Sequence, residues 1–242
     1  MKTVNTKYFT QAEWILWISS LAITLLSFFL QGKHDYLSLA ASLVGVTAVL
    51  LCAKGNPIGQ LLIIVFSILY GIISFRFAYY GEMITYLGMS LPMAILSLIT
   101  WLRNPYEKGK SEVKVKSRLT RRETVWMILL TLAVTVIFYF ILKAFHTANL
   151  LPSTLSVATS FLAVYLTFRR SPYYALAYAA NDVVLIVLWI LASFTDIRYL
   201  AVVICFLTFL VNDLYGFINW RRMAKKQASG IRQEARQEPS SR

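Results

Sequence analysis

Asn181 and Asp182 in "YALAYAANDVVLIVLW", and Asn212 and Asp213 in "FLVNDLYGFINW", are amide and carboxyl side chains set inside long apolar runs. A carboxylate at bilayer depth is costly and faces a cavity, a partner or a substrate. No intramembrane Lys or Arg is available to pair with Asp182 or Asp213. Such a group binds a cation, binds a proton or is neutralised. A cationic substrate would suit the two aspartates, and aromatic rings beside them would add stacking and cation–π attraction. Tyr174, Tyr178 and Asp182 recur every four residues and share one helical face. Asn212 and Asp213 point about 100° apart on an ideal helix. Asn212 is expected to face the space between the two halves of the protein, and the direction of Asp213 stays open. Tyr178 and Trp189 lie deep enough to line a site, and Gln60 and Tyr86 are polar candidates from the first half. The competing reading of these residues is interhelical hydrogen bonding that holds a bundle together.

Other chemistry is not supported. There is no HExxH or GxSxG motif, no GxxxxGK[ST] phosphate loop and no histidine within the apolar runs. His34 and His146 sit in short connections, far apart. Cys52 and Cys205 lie inside apolar blocks without metal or disulfide spacing and read as small core residues. No metal or cofactor is expected. An intramembrane aspartyl enzyme built on Asp182 and Asp213 would lack the GxGD-type context, so the chain reads as a non-enzyme.

The elements that must position these residues are membrane helices. Of 242 residues 58% are hydrophobic and 14% charged, against about a quarter charged in soluble domains. The apolar residues fall into eight blocks of helix-spanning length, at 12–30, 37–53, 57–75, 81–102, 123–144, 150–168, 172–194 and 198–220. The first reads as a retained helix, because no small-residue cleavage site follows it. With eight crossings, 20 of the 24 Lys and Arg residues fall on the side of the two termini, and Lys33, Arg76, Lys143 and Arg198 on the other. That bias places both termini in the cytoplasm, with anionic lipid rather than nucleic acid as neighbour of the +13 charge. Most aromatic residues near span ends, including Trp14, Trp17, Tyr79, Trp101, Trp126 and Trp220, are expected to be interface anchors.

The basic linker 103–122, "RNPYEKGKSEVKVKSRLTRR", divides the spans. On either side of it "NPIGQ…SLITW" and "SPYYA…GFINW" each start with a polar residue and Pro, cross the membrane twice and end in Trp plus basic residues. The expected fold is an all-α polytopic bundle. It consists of an extra amino-terminal helix at 12–30, a triple-helix repeat at 37–102, a connecting helix at 123–144, a second repeat at 150–220 and a mobile polar tail at 221–242. A triplet plus one connecting helix gives parallel repeats, the 3+1+3 arrangement of SWEET proteins, with the substrate site between them. Pro57, Pro92 and Pro172 are candidate bending points, although Pro57 and Pro172 also suit helix starts.

"YYGEMITYLG…P", "STLSV" and "VNDLYGFINW" together resemble the PnuC family of vitamin transporters, over roughly residues 37–222. The resemblance implies uptake of nicotinamide riboside by facilitated diffusion across the plasma (inner) membrane, with trapping by a cytoplasmic kinase and a possible homotrimer. Other branches of the family carry thiamine, riboflavin or deoxynucleosides. Nicotinamide riboside carriers tend to show Trp-x-x-Trp-x-x-x-Asn/Asp, where this chain has Ala175, Tyr178 and Asp182. In such a carrier Asp182 would orient the ligand, Tyr178 and Tyr86 would stack on it, and Asn181 and Asn212 would bond ribose or amide groups.

Overall fold

The computed structural model describes residues 8–30, 36–76, 80–107, 112–147, 149–194 and 200–237. Lys33, His34, Tyr79 and Arg198 lie outside the described residues. Among those described, regular structure is helical throughout: α1 (Gln11–Leu30), α2 (Tyr36–Ala53), α3 (Pro57–Arg76), α4 (Tyr80–Thr85), a π-helical turn (Tyr86–Ser90), α5 (Leu91–Leu102), α6 (Arg121–Ala144), α7 (Leu150–Phe168), α8 (Tyr174–Ser193) and α9 (Leu200–Gln237). Eight stretches are long and apolar enough to cross a membrane, with α4, the π turn and α5 forming one of them. Burial is arranged as lipid requires. Ile128, Leu129, Leu132, Val136, Ile137 and Phe140 of α6 face outward, while Gln60, Ser67, Ser97, Asn181, Asp182, Asn212 and Asp213 are buried. In hydrocarbon the apolar surface needs no hiding, and polar groups find partners inside the protein.

Six crossings close into a ring. α2 packs on α3, α3 on the α4–α5 crossing, α5 on α7, α7 on α8, α8 on α9, and α9 returns to α2. α1 lies outside the ring against α2 and α9, and α6 lies against α7.

The two halves match in detail. Lys54-Gly55-Asn56-Pro57 joins α2 to α3, and Arg169-Arg170-Ser171-Pro172 joins α7 to α8. Gly55 and Arg170 both hold left-handed backbone, with φ of 66° and 56°. At Gly55 a Cβ would also come within 2.6 Å of Met223 Cε. Asn56 then accepts from Ile58 N at 3.0 Å and Ser171 from Tyr173 N at 3.4 Å, ahead of each helix. The match extends to α1 and α6. Each opens with a capping box, Thr10 with Glu13 and Thr120 with Glu123, in which hydroxyl and carboxylate satisfy each other's backbone N–H. Each glutamate also pairs with the equivalent cation, Glu13 with Lys54 at 2.9 Å and Glu123 with Arg169. The helix expected to be a mere connector is therefore built like the amino-terminal one.

Two expectations are corrected here. Trp101 and Trp220 are not interface anchors, since both have 0% exposure. The segment after Trp220 is not a mobile tail up to Gln237, because α9 continues unbroken. Its residues include no Pro, and Met223 and Gln227 are buried against the linker. Gln227 accepts from Val115 N at 2.8 Å and donates to Val113 O at 3.0 Å and Glu112 Oε1 at 2.9 Å. Lys116 bonds Glu123 at 2.7 Å beside Arg169 and Arg170, and its ammonium is held below its usual pKa by burial and by those two guanidinium groups.

Glu13 is 2% exposed and binds Lys54 through both oxygens, as well as Tyr215 Oη at 2.8 Å. Glu13→Ala would leave a largely buried ammonium unpaired, a loss of roughly 3 kcal/mol. Thermal unfolding in detergent should show a clear drop in midpoint for Glu13→Ala and none for the exposed Ser19→Ala.

Candidate functional site

α9 carries the polar stretch that α8 and α1 must accommodate, and its residues separate by helical phase. Asp213 turns toward α8, where its side chain comes within hydrogen-bonding reach of that of Asp182. A bond between two carboxyl groups needs one proton shared between them. Both residues are buried, and Asp182 Oδ2 has no hydrogen-bond partner. Asp213, whose direction the sequence leaves open, is thus the residue that joins Asp182.

Asn212 goes elsewhere. Its Nδ2 donates to Ser20 Oγ of α1 at 3.0 Å and to Thr208 O at 2.8 Å. The expectation that it faces the space between the halves is corrected: it binds α9 to the peripheral α1, as does Tyr215. Asn181 also serves a helix contact. Its Oδ1 accepts from three α7 hydroxyls, Thr159 at 2.8 Å, Ser160 at 3.0 Å and Ser156 at 3.3 Å. Those three hydroxyl residues are half-buried and form a polar strip beside the carboxyl pair's helix.

The aromatic side of the site comes from the opposite half. Tyr86 opens the π turn, in which Leu91 N bonds Tyr86 O five residues back. Pro92 accounts for the turn: lacking an N–H, it cannot bond Gly88 O, and its ring would clash there in a regular α-helix. Tyr86 packs on Tyr70 with ring centroids 4.4 Å apart and on Phe66 at 5.8 Å. It lies within electrostatic reach of Tyr178 and Asp182 across the ring of helices. Tyr86 and Tyr178 are both half-buried. Gln60 Nε2 meets Cys52 Sγ at 3.1 Å, and Cys52 in turn neighbours Asp213. Trp189 is half-buried, about two turns along α8 from Asp182.

The site is asymmetric although its frame is not. The register that aligns Cys52–Pro57 with Thr167–Pro172 sets Ser67 of α3 against Asp182. Ser67 is likewise buried and its hydroxyl has no partner. Ala175, at the first tryptophan position of the motif, has 0% exposure and packs where a Cβ on Gly216 would lie 3.5 Å away. No room exists there for an indole. Tyr178 takes the second tryptophan position, with Tyr174 packed edge-on against it at 6.1 Å. Phe66, on the wall beside Tyr86, has no polar atom and was not identifiable from sequence as a site residue; the "MSLP" that forces the π turn is the readable signal nearby.

A closed ring of membrane-length helices with buried carboxyls defines a polytopic membrane protein. The family described as nicotinamide mononucleotide transporter matches residues 35–222, and the chain belongs to it. It is 25% identical over 226 residues to the nicotinamide riboside transporter PnuC of Neisseria mucosa, covering 90% of this chain and 83% of that protein. It is 23% identical over 216 residues to the nicotinamide riboside transporter PnuC of Haemophilus influenzae, covering 88% and 91%. The fold is that of a crystal structure of the vitamin B3 transporter PnuC, with a TM-score of 0.76 at 23% identity, covering 90% of this chain and 94% of that one.

Replacing Asp213 separates the pair's structural role from its charge. Asp213→Leu strands a buried carboxyl on α8 and should destabilise the protein by roughly 2 to 3 kcal/mol. Asp213→Asn can still donate to Asp182 and should stay within about 1 kcal/mol of the parent. Thermal midpoints in detergent distinguish the two; equal midpoints would remove the pair as a bond between α8 and α9.

Proposed function

We propose that the protein carries nicotinamide riboside across the plasma membrane by facilitated diffusion, and that cytoplasmic phosphorylation of the nucleoside sustains net uptake. The observation that carries this reading is the Asp182–Asp213 pair facing Tyr86 and Tyr178 inside the helix ring. Nicotinamide riboside presents a flat, positively charged pyridinium ring. The carboxyl group of Asp182 would offer that charge a counter-ion, and two tyrosines would offer its faces stacking surfaces. In this scheme Asp182 orients the ring. Ser156, Thr159, Ser160 and Asn181 supply hydroxyl and amide groups for the ribose, and Gln60 bounds the pocket toward α2. Asn212 is engaged by α1 and takes no part. The two relatives from Neisseria mucosa and Haemophilus influenzae, both nicotinamide riboside transporters by name, support the same substrate.

The face carrying the linker and the end of α9 is taken as cytoplasmic, on its excess of Lys and Arg. Alternating access follows from rocking of the two halves about their shared ring contacts.

A second cationic ring, that of thiamine, is favoured by one observation. Ala175 and Tyr178 stand where nicotinamide riboside carriers tend to show tryptophans, so the stacking surface differs.

Proteoliposomes provide the test. Labelled nicotinamide riboside should equilibrate without energy input and accumulate beyond equilibrium only with an enclosed kinase and ATP. Equilibration of thiamine or a deoxynucleoside in its place would overturn the substrate assignment. Asp182→Asn should weaken a cationic ligand about tenfold while changing a neutral analogue less than twofold, the scale expected for one charge-assisted contact. Equal loss for both ligands would contradict the counter-ion role.

A further inference from the structure

Trp101 and Trp220 occupy equivalent places at the ends of the two halves, and each reaches across to the other half. Trp101 Nε1 donates to the backbone oxygen of Thr167, at the end of α7, at 3.0 Å. Trp220 Nε1 donates to that of Cys52, at the end of α2, at 2.9 Å. Cys52 and Thr167 are themselves equivalent in the register that aligns the two turns. The indoles meet each other with centroids 5.3 Å apart, and Tyr174 closes on Trp220 at 4.8 Å. Indole N–H groups anchored at a membrane surface would look outward to water and headgroups. These two are sealed inside and spent on reciprocal bonds between the halves.

The linker covers the pair. Val113 has 0% exposure and belongs to the same core as both tryptophans. Val113 N donates to Gly55 O at 3.0 Å, and Lys116 N donates to Arg170 O at 2.9 Å. Gly55 and Arg170 are the two equivalent left-handed turns, so one segment of four residues is tied to both halves at matching points. Gln227 of α9 clamps its middle.

We propose that Trp101, Trp220 and the strap at 113–116 form the gate at the basic face. In this structure the gate is shut, and passage requires both indole bonds to the opposite half to break. The proposal rests on the carrier reading, in which a route to this face must open. A bundle without transport would have no reason to open here. The device adds to the carboxyl–tyrosine site a barrier between it and the compartment on the side of the linker.

Cys52 is a built-in reporter, because its carbonyl is the acceptor for Trp220 and its side chain is buried. On a Cys205→Ser background, labelling of Cys52 by a membrane-impermeant thiol reagent is followed separately from each face of sealed vesicles. Trp220→Phe and Trp101→Phe keep a large ring but delete one indole bond each. Each should speed labelling from the basic face about fivefold, the change in open fraction expected for one neutral hydrogen bond, and leave the other face unchanged. Gln227→Ala, which frees the strap without touching the indoles, should act in the same direction.

Labelled nucleoside equilibration is measured in the same vesicles. Variants that transport but label at the parental rate would overturn the gate, as would equal acceleration from both faces. Faster labelling from the basic face alone, with no nucleoside equilibrating, would uphold the gate and overturn the substrate reading.

Discussion

Asp182 and Asp213 each present a carboxyl group inside a shell whose outer surface is apolar, and the close approach of the two carboxyls joins α8 to α9. Everything else about the second half is arranged around the need to satisfy α9's polar side chains without water. Helical phase distributes them: Asp213 to α8, Asn212 and Tyr215 to α1, Asn219 and Trp220 to the carbonyls of Ala53 and Cys52 at the end of α2. Gly216 permits this convergence, since a Cβ there would sit 3.4 Å from Ala53 and 3.5 Å from Ala175. One helix therefore ties the peripheral helix, the opposite half and the carboxyl pair into a single body. Asp182 Oδ2 and Asn212 Oδ1 are the buried oxygens of this set left without a hydrogen-bond partner.

Matching capping boxes, ion pairs, left-handed turns and tryptophan bonds give the frame near-twofold character, while the buried aspartates belong to one half. The equivalence of Ser67 and Asp182 illustrates how the two functions separate. A matching frame joins the two halves through reciprocal contacts. An asymmetric lining sets buried carboxyl groups on one side of the ring and tyrosines on the other.

The crossings were legible because a helix in lipid needs a contiguous apolar run, and only its length must be read. The acidic residues were legible as functional candidates because nothing cationic shared their depth. The partners of Asn212 were not. Helical phase says which residues share a face, but not which helix that face meets, and α1 could be placed only in three dimensions. Trp101 and Trp220 look like surface anchors in sequence, since each precedes basic residues; their burial comes from the linker folding back over them. The continuation of α9 was hidden by its polar composition, which lacks an apolar stripe because its contacts are made by single residues such as Met223 and Gln227. The π turn follows from Pro92, a residue readable as a bending point but not as the cause of an inward-turned Tyr86.

Two like-oriented halves enclosing an acid- and tyrosine-lined chamber is the claim on which the functional reading stands. A crystal or cryo-EM structure with nicotinamide riboside bound tests it most directly. The account predicts ligand density between α3, the π turn, α8 and α9, with the pyridinium ring between Tyr86 and Tyr178 and its charge against Asp182. Density outside the ring of helices, or a centre filled by side chains with the ligand absent at saturating concentration, would contradict it.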